Sequence, residues 1–165
     1  MKPLSFIPFD ADPPPIAGRK VTGSIYADRY TTIPPAQIRY AFTGGAVTLG
    51  LIDAPATTLH GLRRAHVYVR TSKGVFFVHY RSLADLLDRL GAARFLFIHH
   101  SLFVNLYQEM EPDLDGKLKL LGIPINEKEL EWLAVSRRHV ADLREILGLR
   151  RRRKADKKAI KTRDT

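Results

Sequence analysis

Six histidines and several acid pairs are the residues of this chain whose types could do metal or acid–base chemistry: His60, His66, His79, His99, His100 and His139, with Asp113/Asp115 and Glu127/Glu129/Glu131. A zinc site needs converging ligands, and these histidines form neither H-E-x-x-H nor a zinc-finger spacing. His99 and His100 are neighbours, and neighbours in a strand point to opposite faces, so one metal cannot easily take both. The acid pairs read as solvated surface rather than a catalytic dyad. Gly44-Gly45 lacks the Gly-Lys-Ser/Thr ending of a phosphate-binding loop, and the chain contains no G-x-G-x-x-G and no G-x-S-x-G elbow. With no cysteine among 165 residues, disulfide scaffolds, Cys-ligated zinc, iron–sulfur clusters and cysteine nucleophiles are excluded. No enzymatic activity, cofactor or metal is expected.

Charge is more informative. The chain carries 27 Lys+Arg against 17 Asp+Glu, a net +10, which points to a polyanionic partner without saying which one. The excess is concentrated in Arg150–Thr165, RRRRKADKKAIKTRDT, with nine basic and two acidic residues. Such a tail has almost nothing to bury and is expected to be disordered when free, either as a solubilising tail or as a phosphate-binding arm. The longest charge-free stretch of the apolar region, Tyr40–Ile52, is too short to cross a bilayer as a helix and contains three glycines. MKPLSFIPFD has no apolar h-region of secretory length and no A-x-A-like site after one, so export is not expected. A cytoplasmic protein without membrane insertion is expected.

The elements that must position any binding residues can be read in part. Met1 to about Asp28 looks loop-like, with Pro13, Pro14 and Pro15 in its middle. A first strand is expected within Val21–Tyr26 or Tyr30–Ile33, stopped by Pro34 and Pro35. Gln37–Phe42 and Ala46–Ile52 are further strand candidates around a Gly44-Gly45 turn. His66–Thr71 alternates, Ser72-Lys73-Gly74 is a turn and Val75–Tyr80 is apolar, so Ala65–Tyr80 reads as a β-hairpin. Ser82 and Asp85 form a capping arrangement ahead of Leu83, Leu86, Leu87 and Leu90, and Gly91 ends that helix. Phe95–Ile98 and Leu102–Leu106 return to strand composition. Asp115-Gly116 precedes a strand at Lys117–Leu121, broken by Gly122 and Pro124. Leu130–Val135 is apolar and of open type. Ser136 begins a last helix with Val140, Leu143 and Leu147 on one face and Gly148 at its end. Leu83, Leu86, Leu87, Leu90, Phe95, Ile98, Val104 and Leu143 read as core, and Asn105 as a residue that satisfies backbone groups.

Four pieces in order, RAHVYVRTSKGVFFV, YRSLADLLDRL, RFLFIHHSLFVNL and AVSRRHVADLREIL, resemble the LytTR family of bacterial DNA-binding domains. They cover about half of the chain. The resemblance implies a mainly β fold of small antiparallel sheets packed side by side with short helices. It implies a sequence-specific, double-stranded-DNA-binding transcription regulator whose loops read successive grooves, commonly at paired direct repeats, with a homodimer forming on DNA. Family members often carry a receiver domain in front, and the residues before Ala65 are too few for one, so a stand-alone module is expected. The expected division is an N-terminal extension over 1–28, a DNA-binding domain over 29–149 and a basic tail over 150–165. Ile38 to His66 is longer than the family's usual path, which implies either an inserted hairpin over Ala46–Ala56 or a different register of the early strands.

By the same resemblance, His66 and Arg137 match loop positions that reach two major grooves, and His100 matches the intervening backbone- or minor-groove-facing position. Arginine suits guanine, since its fork bonds O6 and N7 together, and histidine can donate to a base or a phosphate. His99 and Ser101 would hold the phosphate backbone, and Arg138 and the tail residues Arg150, Arg151, Arg152 and Arg153 join the DNA-binding set. Plainer readings stay open: His66 as an exposed polar residue, Arg137 paired with a nearby acid, His99 as a hydrogen-bonded structural histidine. Two rival functions also stay open. One is an RNA-binding or ribosome-associated protein stacking bases on Phe76, Phe77 and Tyr80. The other is a protein-interaction module whose tail binds an acidic partner.

Overall fold

The computed structural model describes residues 14–21, 30–54 and 59–148. The strands are β1 (Ile16–Lys20), β2 (Thr31–Ile33), β3 (Tyr40–Thr43), β4 (Ile52–Asp53), β5 (Val67–Thr71), β6 (Gly74–Val78), β7 (Phe95–His99), β8 (Leu102–Asn105), β9 (Glu111–Asp113), β10 (Leu120–Pro124) and β11 (Leu130–Ala134). The helices are α1 (Gly44–Thr48), α2 (Leu83–Leu90) and α3 (Arg137–Ile146), with a 3-10 turn at Pro35–Gln37. Two antiparallel sheets result, one of seven strands in the order β2-β1-β6-β5-β3-β8-β7 and one of four in the order β4-β11-β10-β9. This is the mainly β architecture of antiparallel sheets with short helices that the resemblance implies. The tail arginines Arg150, Arg151, Arg152 and Arg153 lie outside the described residues.

Alternation in β5 and β6 gives the large sheet two apolar faces. Val67, Val69, Phe76, Val78 and Phe103 lie on one face with Leu83, Leu86 and Leu90 of α2. That helix exists because its leucines recur every three or four residues. The Ser82 Oγ accepts the amide of Asp85 at 3.1 Å, and Gly91 at φ 90° ends it. Each leucine it buries is worth about 1.5–3 kcal/mol; Leu87 is only partly covered. Tyr40, Phe42, Tyr68 and Val104 on the other face pack with Leu121, Ile123 and Leu133 of the small sheet and Leu143 of α3. Both faces of the large sheet are therefore covered, and all five residues of β5 are buried.

Several expectations need correction. The stretch up to Asp28 is not all loop, because Ile16–Lys20 pairs with both β2 and β6. The glycine pair is not a turn between strands. Gly44 and Gly45 begin α1, where their amides bond the carbonyls of His66 and Arg64 at 3.1 and 3.0 Å. Instead of a hairpin over Ala46–Ala56, the extra length carries Ile52 and Asp53 to the small sheet, where they pair with Leu133 and Trp132. Gly122 and Pro124 do not break a strand. Gly122 lies mid-strand between Glu111 and Trp132, and a Cβ there would come within 3.1 Å of the Trp132 ring. Glu131 is not solvated surface, since it is 4% exposed. Its carboxylate accepts Arg70 Nε and Nη2 at 2.9 and 3.0 Å and the Tyr40 hydroxyl at 2.8 Å, which ties the two sheets together. Burial, then the neighbouring Glu131, pushes the Tyr40 phenol well above its ordinary range.

Candidate nucleic-acid interface

Strand pairing brings most of the expected contact residues to one end of the large sheet. β5 begins there, directly after His66. β3 ends there, and its Thr43 amide bonds the Ser101 carbonyl at 3.1 Å while the next amide, Gly44, bonds the His66 carbonyl. β8 begins after Ser101, and β7 ends at His99. The sheet order puts three strand spacings, about 14 Å, between the start of β5 and the end of β7. The N-terminus of α3 joins the same end, because the Ser136 amide bonds the Ile98 carbonyl at 2.7 Å. His66, His99, His100, Ser101, Arg137 and Arg138 thus line one end of the molecule.

Each is held differently. His66 is half-buried, with its ring stacked on Phe77 at 4.6 Å between centroids and its amide bonded to the Arg63 carbonyl. Gly44 is essential to that loop, since any Cβ there would collide with the Arg63 carbonyl. His99 accepts the Ser101 amide on its Nδ1 at 3.3 Å, and Ser101 itself is 6% exposed. His100 is exposed and lies in the turn rather than the strand. Its ring therefore meets that of His99 at 4.2 Å, instead of pointing to the opposite face as neighbours in a strand would. Arg137 and Arg138 are exposed on the first turn of α3. Asn105 bonds the Ile38 carbonyl and the Tyr107 amide, the backbone role read from the sequence.

Sequence reasoning missed three members. Arg63 and Arg64 are exposed in the loop that holds His66, and their spacing of three and two residues from it was the available signal. His139 is the third. Ser136 stands at the N-cap of α3, but its hydroxyl makes no capping bond and instead pairs with His139 Nδ1 at 2.6 Å. Burial, aided by His100 and then His139, lowers the pKa of His99. Burial, then Arg138, lowers that of His139, with Asp142 opposing. Both rings are thus biased toward the neutral form at neutral pH. Among the described residues no group of three or more His, Asp or Glu could hold a metal ion, and no helix is long and apolar enough to cross a membrane.

Two of the three aromatic residues that the RNA-stacking reading would use are otherwise engaged. Phe76 is 4% exposed in the core beneath α2, and Phe77 lies between the rings of His66 and His79.

No protein-family model and no curated protein matches the chain. Among solved structures, the chain is similar to the LytTr DNA-binding domain of a Bacillus cereus protein described as a methyl-accepting/DNA response regulator. The match covers 82% of this chain and 98% of that one, at 18% sequence identity and a TM-score of 0.51. The chain has the LytTR-like fold.

Proposed function

We propose that this chain is a cytoplasmic, sequence-specific regulator of transcription that binds double-stranded DNA and reads successive grooves with loops. The observation that carries this reading is the convergence of His66, His99, His100, Arg137 and Arg138 on one end of the large sheet. The shared fold supports it.

Arg137 enters one major groove and His66 another, and His100 faces the backbone or minor groove between them. The row from His66 to the end of β7 is shorter than one duplex turn of roughly 34 Å. The two reading loops therefore meet the facing halves of successive grooves, with the narrow groove beneath the His99–Ser101 turn. His99 and Arg138 hold phosphates, and buried Ser101 shapes the turn that presents the histidines to the backbone. The module spans residues 29–149, joined by β1 from the N-terminal extension, and the tail arginines 150–153 add phosphate contacts. Paired direct repeats, each filled by one copy of a homodimer, are the expected target.

Fluorescence titration against duplex DNA from 50 to 200 mM salt tests the reading. Log K is expected to fall linearly with log salt, as counterion release requires. An affinity that stays flat, or a preference for single-stranded RNA, would count against it.

A further inference from the structure

The end of the molecule opposite the histidine row carries a groove of about 1020 Å³. β8 and α3 both begin at the histidine row, and each runs about 14–15 Å to the groove wall. Leu106, Met110 and Leu130 give it apolar surface, and Ile146 and Leu147 bring the last turn of α3 into its wall. Four glutamates, Glu109, Glu111, Glu127 and Glu129, line it against one lysine, Lys128, and all five are exposed. Gln108 also lines it. The Gln108 Nε2 donates to the carbonyls of Arg39 and Asn105 at 2.8 Å each, which fixes the amide, and its Oε1 acceptor has no partner among the described residues.

The chain leaves this wall at Gly148, whose φ of 70° turns it out of α3, and continues as Leu149-Arg150-Arg151-Arg152-Arg153-Lys154. We propose that this segment docks in the groove of its own chain, with Leu149 over the apolar surface and the arginines paired with the glutamates. Three observations support it. The groove is acidic in a protein of net +10, and the tail holds nine of the chain's basic residues. The tether starts at the groove wall, so the effective concentration is of the millimolar order and a weak intrinsic affinity suffices. Arginine stems cover apolar surface while their heads pair at its rim, which matches a floor of leucines and methionine edged by carboxylates.

Docking also has a consequence that rests on the proposed function. Seventeen residues reach at most about 55–60 Å, so the tail can alternatively reach phosphates beside the domain. Groove and DNA then compete for the same arginines, and free protein holds its tail charge back from nonspecific DNA.

Met110 makes this testable, because the chain has only two methionines and the other is Met1. The full chain labelled at methionine methyls is compared by NMR with full-length Arg150–153→Ser and Glu127→Gln/Glu129→Gln variants. Docking predicts that the Met110 signal shifts in both variants. It also predicts that raising salt from 50 to 500 mM moves the parent signal toward the variant position. Nonspecific duplex is expected to do the same, and Glu127→Gln/Glu129→Gln is expected to raise duplex affinity several-fold only while the tail arginines are present. A Met110 signal indifferent to the tail overturns the proposal. So does a shift that depends on protein concentration, which would mean that a second copy fills the groove. If Met110 reports docking but no duplex binds, the docking stands and the DNA reading fails.

Discussion

His99 ends β7 and His139 lies in the first turn of α3, close enough that His139 acts on His99 electrostatically, and both have pKa values lowered mainly by burial. The folded chain therefore binds fewer protons near pH 6 than the unfolded chain. Their contribution to stability is complete above the ordinary histidine value of about 6.5 and is lost as pH falls through the lowered one. Under the proposed DNA reading the balance would reverse, since a phosphate beside either ring would favour the imidazolium. Duplex affinity is accordingly expected to rise roughly two- to tenfold per histidine as pH drops from 7.5 toward 5.5, and His99→Gln/His139→Gln should flatten that rise in a pH series of binding titrations. An unchanged slope in the variant would remove both residues from the interface. At the same scale, Arg137→Ala should relax discrimination at one base position at a cost of about 1–3 kcal/mol. His66→Ala should act at a different position and more weakly, because an imidazole makes fewer bonds than an arginine fork. Binding-site selection with each folded variant reads both effects, and parental motif and affinity in both would break the residue assignments.

At the scale of elements, the parts that the sequence reveals are those whose signal is local. The β5–β6 hairpin and α2 follow from alternation, a turn and a leucine stripe, and the start of α3 from Ser136 and its apolar face. The elements it hides are those made by tertiary contact. α1 is GGAVT, a poor helix former, and it winds because the His66 loop takes the amides of both glycines. β9 is Glu-Pro-Asp with every residue exposed, and β1, Ile-Ala-Gly-Arg-Lys behind a proline run, has one large apolar residue, so its alternating burial is not legible from residue types. Glu131 reads as surface until β11 is laid across β3 and β5. That buried pair allows a sharp test. Glu131→Ala strands the Arg70 guanidinium and is expected to cost about 3–5 kcal/mol, followed through urea unfolding by the fluorescence of Trp132. Arg70→Met/Glu131→Leu should recover most of that loss, because the charge and its desolvation are removed together. A near-neutral Glu131→Ala would mean that the pair does not hold the sheets.

Across the whole molecule, the candidate contact residues are legible in the sequence as types but not as a group. The strand order together with the Ser136–Ile98 hydrogen bond shows that His66 and Arg137, seventy-one positions apart, share one end of the fold, while the groove lined by glutamates occupies the other. The tail begins at the second end and can serve the first. Its sequence is rich in charge and holds no aromatic residue, so it is expected to bind phosphates rather than read bases. Deleting Arg150–Thr165 is therefore expected to weaken specific and nonspecific duplex binding to a similar degree in parallel titrations, and Lys157→Ala to lower affinity slightly and evenly across sequences. A changed sequence preference in the deletion would make the tail a reader. The central claim is that the histidine-lined end of the large sheet recognises DNA sequence, and a genome-wide DNA footprint of the full chain tests it most directly. The account predicts recovery of one direct-repeat motif; uniform coverage of the genome, or enrichment of RNA instead, would contradict it.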